Sequence, residues 1–243
     1  MQRTLGQDAA RVPRRWDFLR RSLWPLPVMN LLSRLNKALL TRALPGRFLV
    51  KRGPAAGHAV YLTFDDGPDP VHTPSVLDLL AEHQARATFF LIGNRIDANA
   101  SLVERMVDAG HCVGNHSWSH PQFYALDLDA QLSEIDRTDA VLQRYTGRPT
   151  APFRPPRGDV PIRMLLALAR RRSRIVHWSR NSMDYTRAPV PELLGRMRDA
   201  PPVPGDIVLM HDDGPAAVAM LPELLADGRG RGLHFAALPQ DLH

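Results

Sequence analysis

From about residue 57 onward, short apolar runs alternate with segments of helical period, and this alternation limits the possible folds more than any other feature of the chain. The runs are Ala59 to Phe64, Ala87 to Ile92, His111 to Gly114, Pro152 to Arg154, Ser173 to Trp178, Asp206 to His211 and Leu233 to Leu238. Between them the spacing predicts helices at Pro74 to Glu82, Ala100 to Asp108, Leu128 to Tyr145, Pro161 to Arg171, Pro191 to Arg198 and Ala216 to Ala226. Strands separated by helices must pair in parallel, because a parallel pair needs a crossover connection. About seven strands fit either a closed (β/α) barrel or an open doubly wound sheet, and strand counting does not choose between them. In either case ligands collect at the C-terminal ends of the strands, so chemistry is sought there.

Charge divides the 243-residue chain unequally. Residues 1–55 hold twelve Lys/Arg against two Asp, a balance of +10, which leaves −4 on the remainder. We read 1–55 as a basic amphipathic extension and 56–243 as the catalytic domain. The acidic balance of the body argues against a nucleic-acid groove; the cluster Arg170-Arg171-Arg172-Ser173-Arg174 reads as a solvated helix end. Trp16 to Leu49 interleaves apolar residues with arginines, so it can lie on an anionic membrane surface or pack on the body. Met1 to Ala10 is polar, and no run approaches the roughly 18 apolar residues that span a bilayer. The expected location is therefore cytoplasmic, with possible peripheral contact at the inner membrane face. A single cysteine, Cys112 in an apolar run, excludes a disulfide framework and reads as a small core residue.

The first strand ends in Thr63-Phe64-Asp65-Asp66-Gly67-Pro68. Taken alone, Asp-Asp-Gly-Pro is ordinary turn chemistry. Its partners change that reading. After the third strand stands Asn115-His116-Ser117-Trp118-Ser119-His120, two histidines four apart that can ligate one metal. One carboxylate and two imidazoles would leave coordination positions for water and substrate, as a hydrolytic metal requires. The fourth strand ends in Phe153-Arg154-Pro155-Pro156-Arg157-Gly158, where the prolines can fix Arg154 as an orienting charge, and the sixth in Leu209-Met210-His211, which places His211 for acid/base work.

These segments, with Trp178-Ser179 and Asp184-Tyr185 between the last two, resemble in order the five motifs of the NodB-like polysaccharide deacetylases, carbohydrate esterase family 4. The resemblance runs from about Tyr61 to Asp213. It implies a distorted (β/α) barrel with about seven parallel strands, and removal of N-acetyl groups from amino-sugar units of a glycan or glycolipid. It implies Asp65 as general base, His211 as general acid and Arg154 as the group orienting the base. Asp66, His116 and His120 would hold one divalent metal ion, usually Zn2+, with Co2+, Ni2+ or Mn2+ also accepted. Pro155, Arg157, Trp178, Tyr185 and Leu209 would line the substrate groove, Leu209 against the acetyl methyl. The expected partner is a carbohydrate or lipid-linked sugar. Two alternatives stay open: a deformylase or other carboxamide hydrolase of the superfamily, and a catalytically weak relative that binds membranes or partners.

Two positions depart from the family pattern. Arg157 replaces an aromatic residue, which implies a more cationic groove suited to an anionic or phosphate-bearing substrate. Asn181 stands where the family usually has an Asp that tunes the acid histidine, so His211 is expected to be less readily protonated near neutral pH.

Overall fold

The computed structural model describes residues 49–149 and 151–239. Its centre is strand β2, Ala59–Asp65, in which every residue is buried. A strand covered on both faces reads as a continuous apolar run rather than an alternating one, which is the pattern Ala-Val-Tyr-Leu-Thr-Phe shows. β2 pairs in parallel with β3 (Ala87–Leu91) on one side and β7 (Ile207–His211) on the other. β3 in turn pairs with β4, Cys112–Asn115.

Beyond β4 the ring continues through a single residue. Phe153 bridges Asn115 of β4 and Ile175 of β5, Ile175–Val176. The chain then runs directly into β6, Arg180–Asn181, which pairs with β7 and returns the ring to β2. The result is a distorted parallel barrel. Two short strands complete it: β1 (Leu49–Val50) pairs with β5, and β8 (His234–Phe235) with the start of β2.

Helices α1 (Thr73–Glu82), α2 (Gly93–Ile96), α3 (Ala100–Asp108), α4 (Leu128–Thr146), α5 (Ile162–Arg170), α6 (Val190–Asp199) and α7 (Pro215–Gly230) accompany the strands. α4 has clear end signals: Asp127 Oδ1 accepts the Ala130 N–H at 2.8 Å, and Gly147, at φ 68°, closes the helix in the left-handed conformation. The buried stripes of α1, α3, α6 and α7 join β2, β3 and β7 in the main core. Those of α4 and α5 pack around Phe123 and Phe153 in a second one.

Each predicted strand has a counterpart, although Pro152 to Arg154 is reduced to the Phe153 bridge, and Ser173 to Trp178 and Leu233 to Leu238 to two residues each. β1, β6 and α2 are too short for a periodic signal. Leu49 to Arg52, assigned from sequence to the extension, are tied to the body by the β1–β5 pairing and an Arg52–Asp206 salt bridge. The remainder of the basic amphipathic segment, up to residue 48, lies outside the described residues. Among the described residues no helix is long and apolar enough to cross a membrane.

Candidate active site

Parallel pairing brings the strand ends to one rim. Asp65 and His211 are register partners at the ends of β2 and β7, so their backbones are adjacent. Asp66 follows at once, with φ 74°. Five of the eight described non-glycine residues with positive φ lie in the loops of this rim: Asp66, Ser117, His120, Arg157 and Met183. Strain of this kind persists only where surrounding contacts fix it, and it concentrates at functional sites.

Asp66, His116 and His120 each offer one ligand atom, and these atoms lie within 4.8 Å of one another. His116 Nε2 is 3.4 Å and His120 Nε2 3.2 Å from Asp66 Oδ1, a buried oxygen without a hydrogen-bond donor. The other ring nitrogen of His116, Nδ1, donates to the Arg154 carbonyl at 2.7 Å, which leaves Nε2 as the lone-pair atom facing the acids. An undonated buried carboxylate oxygen facing two imidazole nitrogens fits a divalent cation better than it fits a proton.

The loop carrying the histidines is fixed from behind. Asn115 Nδ2 donates to Ile135 O at 2.9 Å and to Asp139 Oδ1 at 2.8 Å on α4, while its Oδ1 accepts the Ser117 N–H at 2.8 Å. Burial pushes the Asp139 carboxyl up to about 6 against the lowering effect of the Asn115 hydrogen bond. Neither residue stood out in the sequence, because an Asn beside a motif and an Asp inside a helix carry no local signal.

Arg154 is fully buried beneath the acids. Its Nη1 donates to Asp65 Oδ1 and to Thr63 Oγ1, both at 2.7 Å, and its Nη2 to His177 O at 3.0 Å. The guanidinium carbon lies 4.1 Å from the centre of the Phe90 ring. The planar fork thus holds Asp65 in one direction from a strand end that has no freedom to move.

His211 corrects the sequence expectation. Its Nδ1 lies 2.8 Å from Asp184 Oδ1, and its backbone N–H donates to Asp184 Oδ2 at 2.7 Å. Burial lowers the imidazole pKa, but the hydrogen bond and charge of Asp184, with Asp65 and Asp66 adding to them, raise it to about 9. Asn181 makes no hydrogen bond to the histidine: its Oδ1 accepts the Met183 N–H at 2.8 Å in a local turn and its Nδ2 donates to the Tyr185 hydroxyl at 3.4 Å. His211 is therefore readily protonated near neutral pH, contrary to the expectation drawn from Asn181. The signal that could have found Asp184 was the Asp-Tyr pair at the end of its motif, with Asp184 one turn beyond β6.

These groups open into a cleft of about 360 Å³, and Arg157, Trp178, Asn181, Tyr185 and Leu209 complete its wall. Tyr185 is 56% exposed and meets His211 edge-on, with ring centres 5.3 Å apart. Leu209, in β7, is buried. Pro155 is the exception among the expected groove residues: it is buried, does not line the cleft, and its carbonyl accepts the Gly158 N–H at 2.9 Å in the turn that presents Arg157.

A parallel barrel with paired acids, two imidazoles, a buried arginine and a carboxylate-held histidine on one rim defines the class of metal-dependent hydrolases. Comparison with known proteins narrows it. The polysaccharide deacetylase family model matches residues 52–175, and the chain belongs to that family. It is 36% identical to a chitooligosaccharide deacetylase of Sinorhizobium fredii, over 79% of this chain and 95% of the relative. It is 31% identical to a peptidoglycan-N-acetylglucosamine deacetylase of Bacillus cereus, over 77% and 69% respectively. The crystal structure of a peptidoglycan N-acetylglucosamine deacetylase superposes with a TM-score of 0.73 at 30% identity, covering 79% of this chain and 91% of that one.

Proposed function

We propose that this protein is a metal-dependent deacetylase that hydrolyses the N-acetyl group of amino-sugar units in a glycan or glycolipid. The observation that carries the reading is the undonated Asp66 oxygen facing His116 and His120 Nε2, with Asp65 and His211 on adjoining strand ends of the same cleft. Asp66, His116 and His120 would hold the ion, most suitably Zn2+ given one carboxylate and two imidazoles. When bound, it supplies Lewis acidity toward the acetyl carbonyl and toward water.

The chain's own residues do the rest. Asp65, held by Arg154, takes the proton of the attacking water as it adds to the carbonyl carbon. We assign the developing oxyanion to the Arg157 backbone N–H as donor. His211, charged through Asp184, delivers its proton to the nitrogen as the carbon–nitrogen bond breaks, so the amine leaves neutral. Leu209 offers an apolar wall to the acetyl methyl. General base and general acid each contribute on the order of 10² to 10⁴ in rate. Trp178 and Tyr185 suit the faces of a sugar ring, and Arg157 favours a unit bearing a carboxylate or phosphate.

Acetate release from N-acetylglucosamine oligomers, measured after dialysis against chelator and after re-addition of Zn2+, tests this. Activity that disappears with the metal and returns with it is expected. A metal-loaded protein that releases no acetate from any amino-sugar substrate overturns the reading. The basic segment 1–48 supports peripheral contact with an anionic membrane, where a lipid-linked sugar would be met.

A further inference from the structure

The outer face of α5 stands apart from the rest of the domain in both charge and apolar exposure. Between Asp159 and Asp184 the chain holds six arginines and no acidic residue, although residues 56–243 as a whole carry a balance of −4. Ile162, Leu166 and Arg170 follow at four-residue steps, so they form one row along the helix, and Arg163 lies beside it. Ile162 and Leu166 are 48% and 49% exposed, whereas Met164, Leu165 and Leu168 of the same helix are buried in the second core.

The fold makes little use of these arginines. Arg171 pairs with Asp136 of α4 at 2.6 Å. Among the described residues, the guanidinium groups of Arg163, Arg170, Arg172 and Arg174 have no hydrogen bond or ion pair, and none of them caps a carbonyl at the end of α5. Attraction to the helix dipole falls off within the last turn, so it does not account for Arg172 and Arg174 beyond the helix.

The basic segment joins the domain beside this face. Residues 1–48 hold ten Lys/Arg against two Asp and include Trp16, Phe18 and Trp24. Leu49 pairs with Ile175, directly after Arg174, and shares a core cluster with Met164, Leu165 and Leu168 of α5. Two cationic, partly apolar stretches of chain are thus linked at one edge of the domain. Arginines alone would suit any polyanion. The half-exposed Ile162 and Leu166 in the same row decide for a lipid surface, where aliphatic side chains enter the boundary layer beside anionic headgroups.

We propose that the outer face of α5 and the turn carrying Arg170, Arg172 and Arg174 form a docking surface for an anionic lipid bilayer, continuous with residues 1–48. The inference extends to the folded domain the membrane contact proposed for that segment, and it is independent of the reaction. Arg174 precedes β5, so the basic end of the surface lies at the opposite end of the strands from the catalytic rim.

Co-sedimentation of the full chain with phosphatidylglycerol-containing vesicles tests the surface, with phosphatidylcholine vesicles as the neutral control. Binding to the anionic vesicles that fades at high salt is expected. The triple variant Arg170→Ser/Arg172→Ser/Arg174→Ser should bind roughly a hundredfold more weakly, about fivefold for each arginine lost near the surface. Leu166→Ser should bind about fivefold more weakly and keep the salt dependence. Unchanged vesicle binding in the triple variant overturns the docking surface and leaves contact through residues 1–48 alone. Polyglutamate binding as tight as vesicle binding, with both insensitive to Leu166→Ser, assigns the face to an acidic polymer and overturns the bilayer. Acetate release from a soluble N-acetylglucosamine oligomer should be unchanged in both variants. Vesicle binding that follows the expected pattern in a chain releasing no acetate keeps the surface and removes the deacetylase reading.

Discussion

His211 and Asp184 are joined twice, through Nδ1 to Oδ1 at 2.8 Å and through the backbone N–H to Oδ2 at 2.7 Å. The carboxylate therefore fixes the ring as well as raising its pKa to about 9 from the ordinary 6.5. As the proposed proton donor, His211 must be charged, so turnover should fall as pH rises through about 9. Asp184→Asn removes the charge and leaves the burial that opposes protonation, so the basic limb of the kcat profile should move down toward or below 6.5. Asn181→Asp should leave the limb nearly in place. A limb that stays near 9 in Asp184→Asn would show that another group holds the proton on His211.

The same pair links pH to stability of the metal-free protein. The folded pKa is the raised one, so the pair stabilises the fold fully below about 6.5 and loses that contribution as pH rises toward 9. Thermal unfolding of wild type and Asp184→Asn should differ most at pH 6 and converge above 9. A constant difference across that window would remove the linkage.

Arg154 is an ion-pair partner that no smaller cation can replace. Its guanidinium satisfies Asp65, Thr63 and the His177 carbonyl at once, at full burial. Arg154→Lys keeps the charge but supplies no planar fork, so kcat should fall by about two orders of magnitude while metal content is retained. Arg154→Ala leaves a buried, unpaired Asp65 and should cost about 3–5 kcal/mol of stability, read from denaturant unfolding. Near-wild-type turnover in Arg154→Lys would mean that Asp65 needs no orientation from this side.

How much of this was legible in sequence depends on how local each signal is. Asp65-Asp66, His116 with His120, and the strand ends carrying Arg154 and His211 are compact motifs. That they converge needs only the rule that parallel strands end on one rim; which of them is base, acid or ligand came from the resemblance to the family. The fate of Asn181 and Asp184 was not legible in that way. Both are short polar residues three apart, Asn181 in the two-residue strand β6 and Asp184 just beyond it, and only the turn after β6 decides which of them meets His211. Thr63 reads as a β-branched strand residue, yet its hydroxyl accepts from Arg154 and donates to the Val208 carbonyl at 2.7 Å.

The two adjacent acids should fail differently. Asp66→Asn replaces the carboxylate between the imidazoles and should lower metal affinity by tenfold or more, read by chelator competition. Asp65→Asn should keep the metal and lose turnover, because the amide has no basic site for the water proton. Equal metal loss in both variants would abolish the division of labour between them.

Gly67 ties this turn to the end of the strand carrying His211. A Cβ built there would lie 2.3 Å from Asp212 Oδ2, which accepts from Thr73 Oγ1 at 2.5 Å, and Asp212 is completely buried. Neither group can give way cheaply: the carboxylate is fixed by α1, and the turn by the Ile92 N–H bond to the Gly67 carbonyl at 2.8 Å. Gly67→Ala should therefore cost about 1–3 kcal/mol as overpacking. It should also weaken metal binding, since the displaced backbone carries Asp66. Asp212→Ala removes the obstructing oxygens but leaves the Thr73 hydroxyl, which still accepts the Asp69 N–H at 2.8 Å, with only the Asp212 backbone carbonyl at 3.5 Å to donate to, so alone it is destabilising too. The double variant should be more stable than the sum of the single losses, because the clash is counted once and then relieved. Strict additivity in denaturant unfolding would show that the turn relaxes away from Asp212 and that Gly67 is required for some other reason.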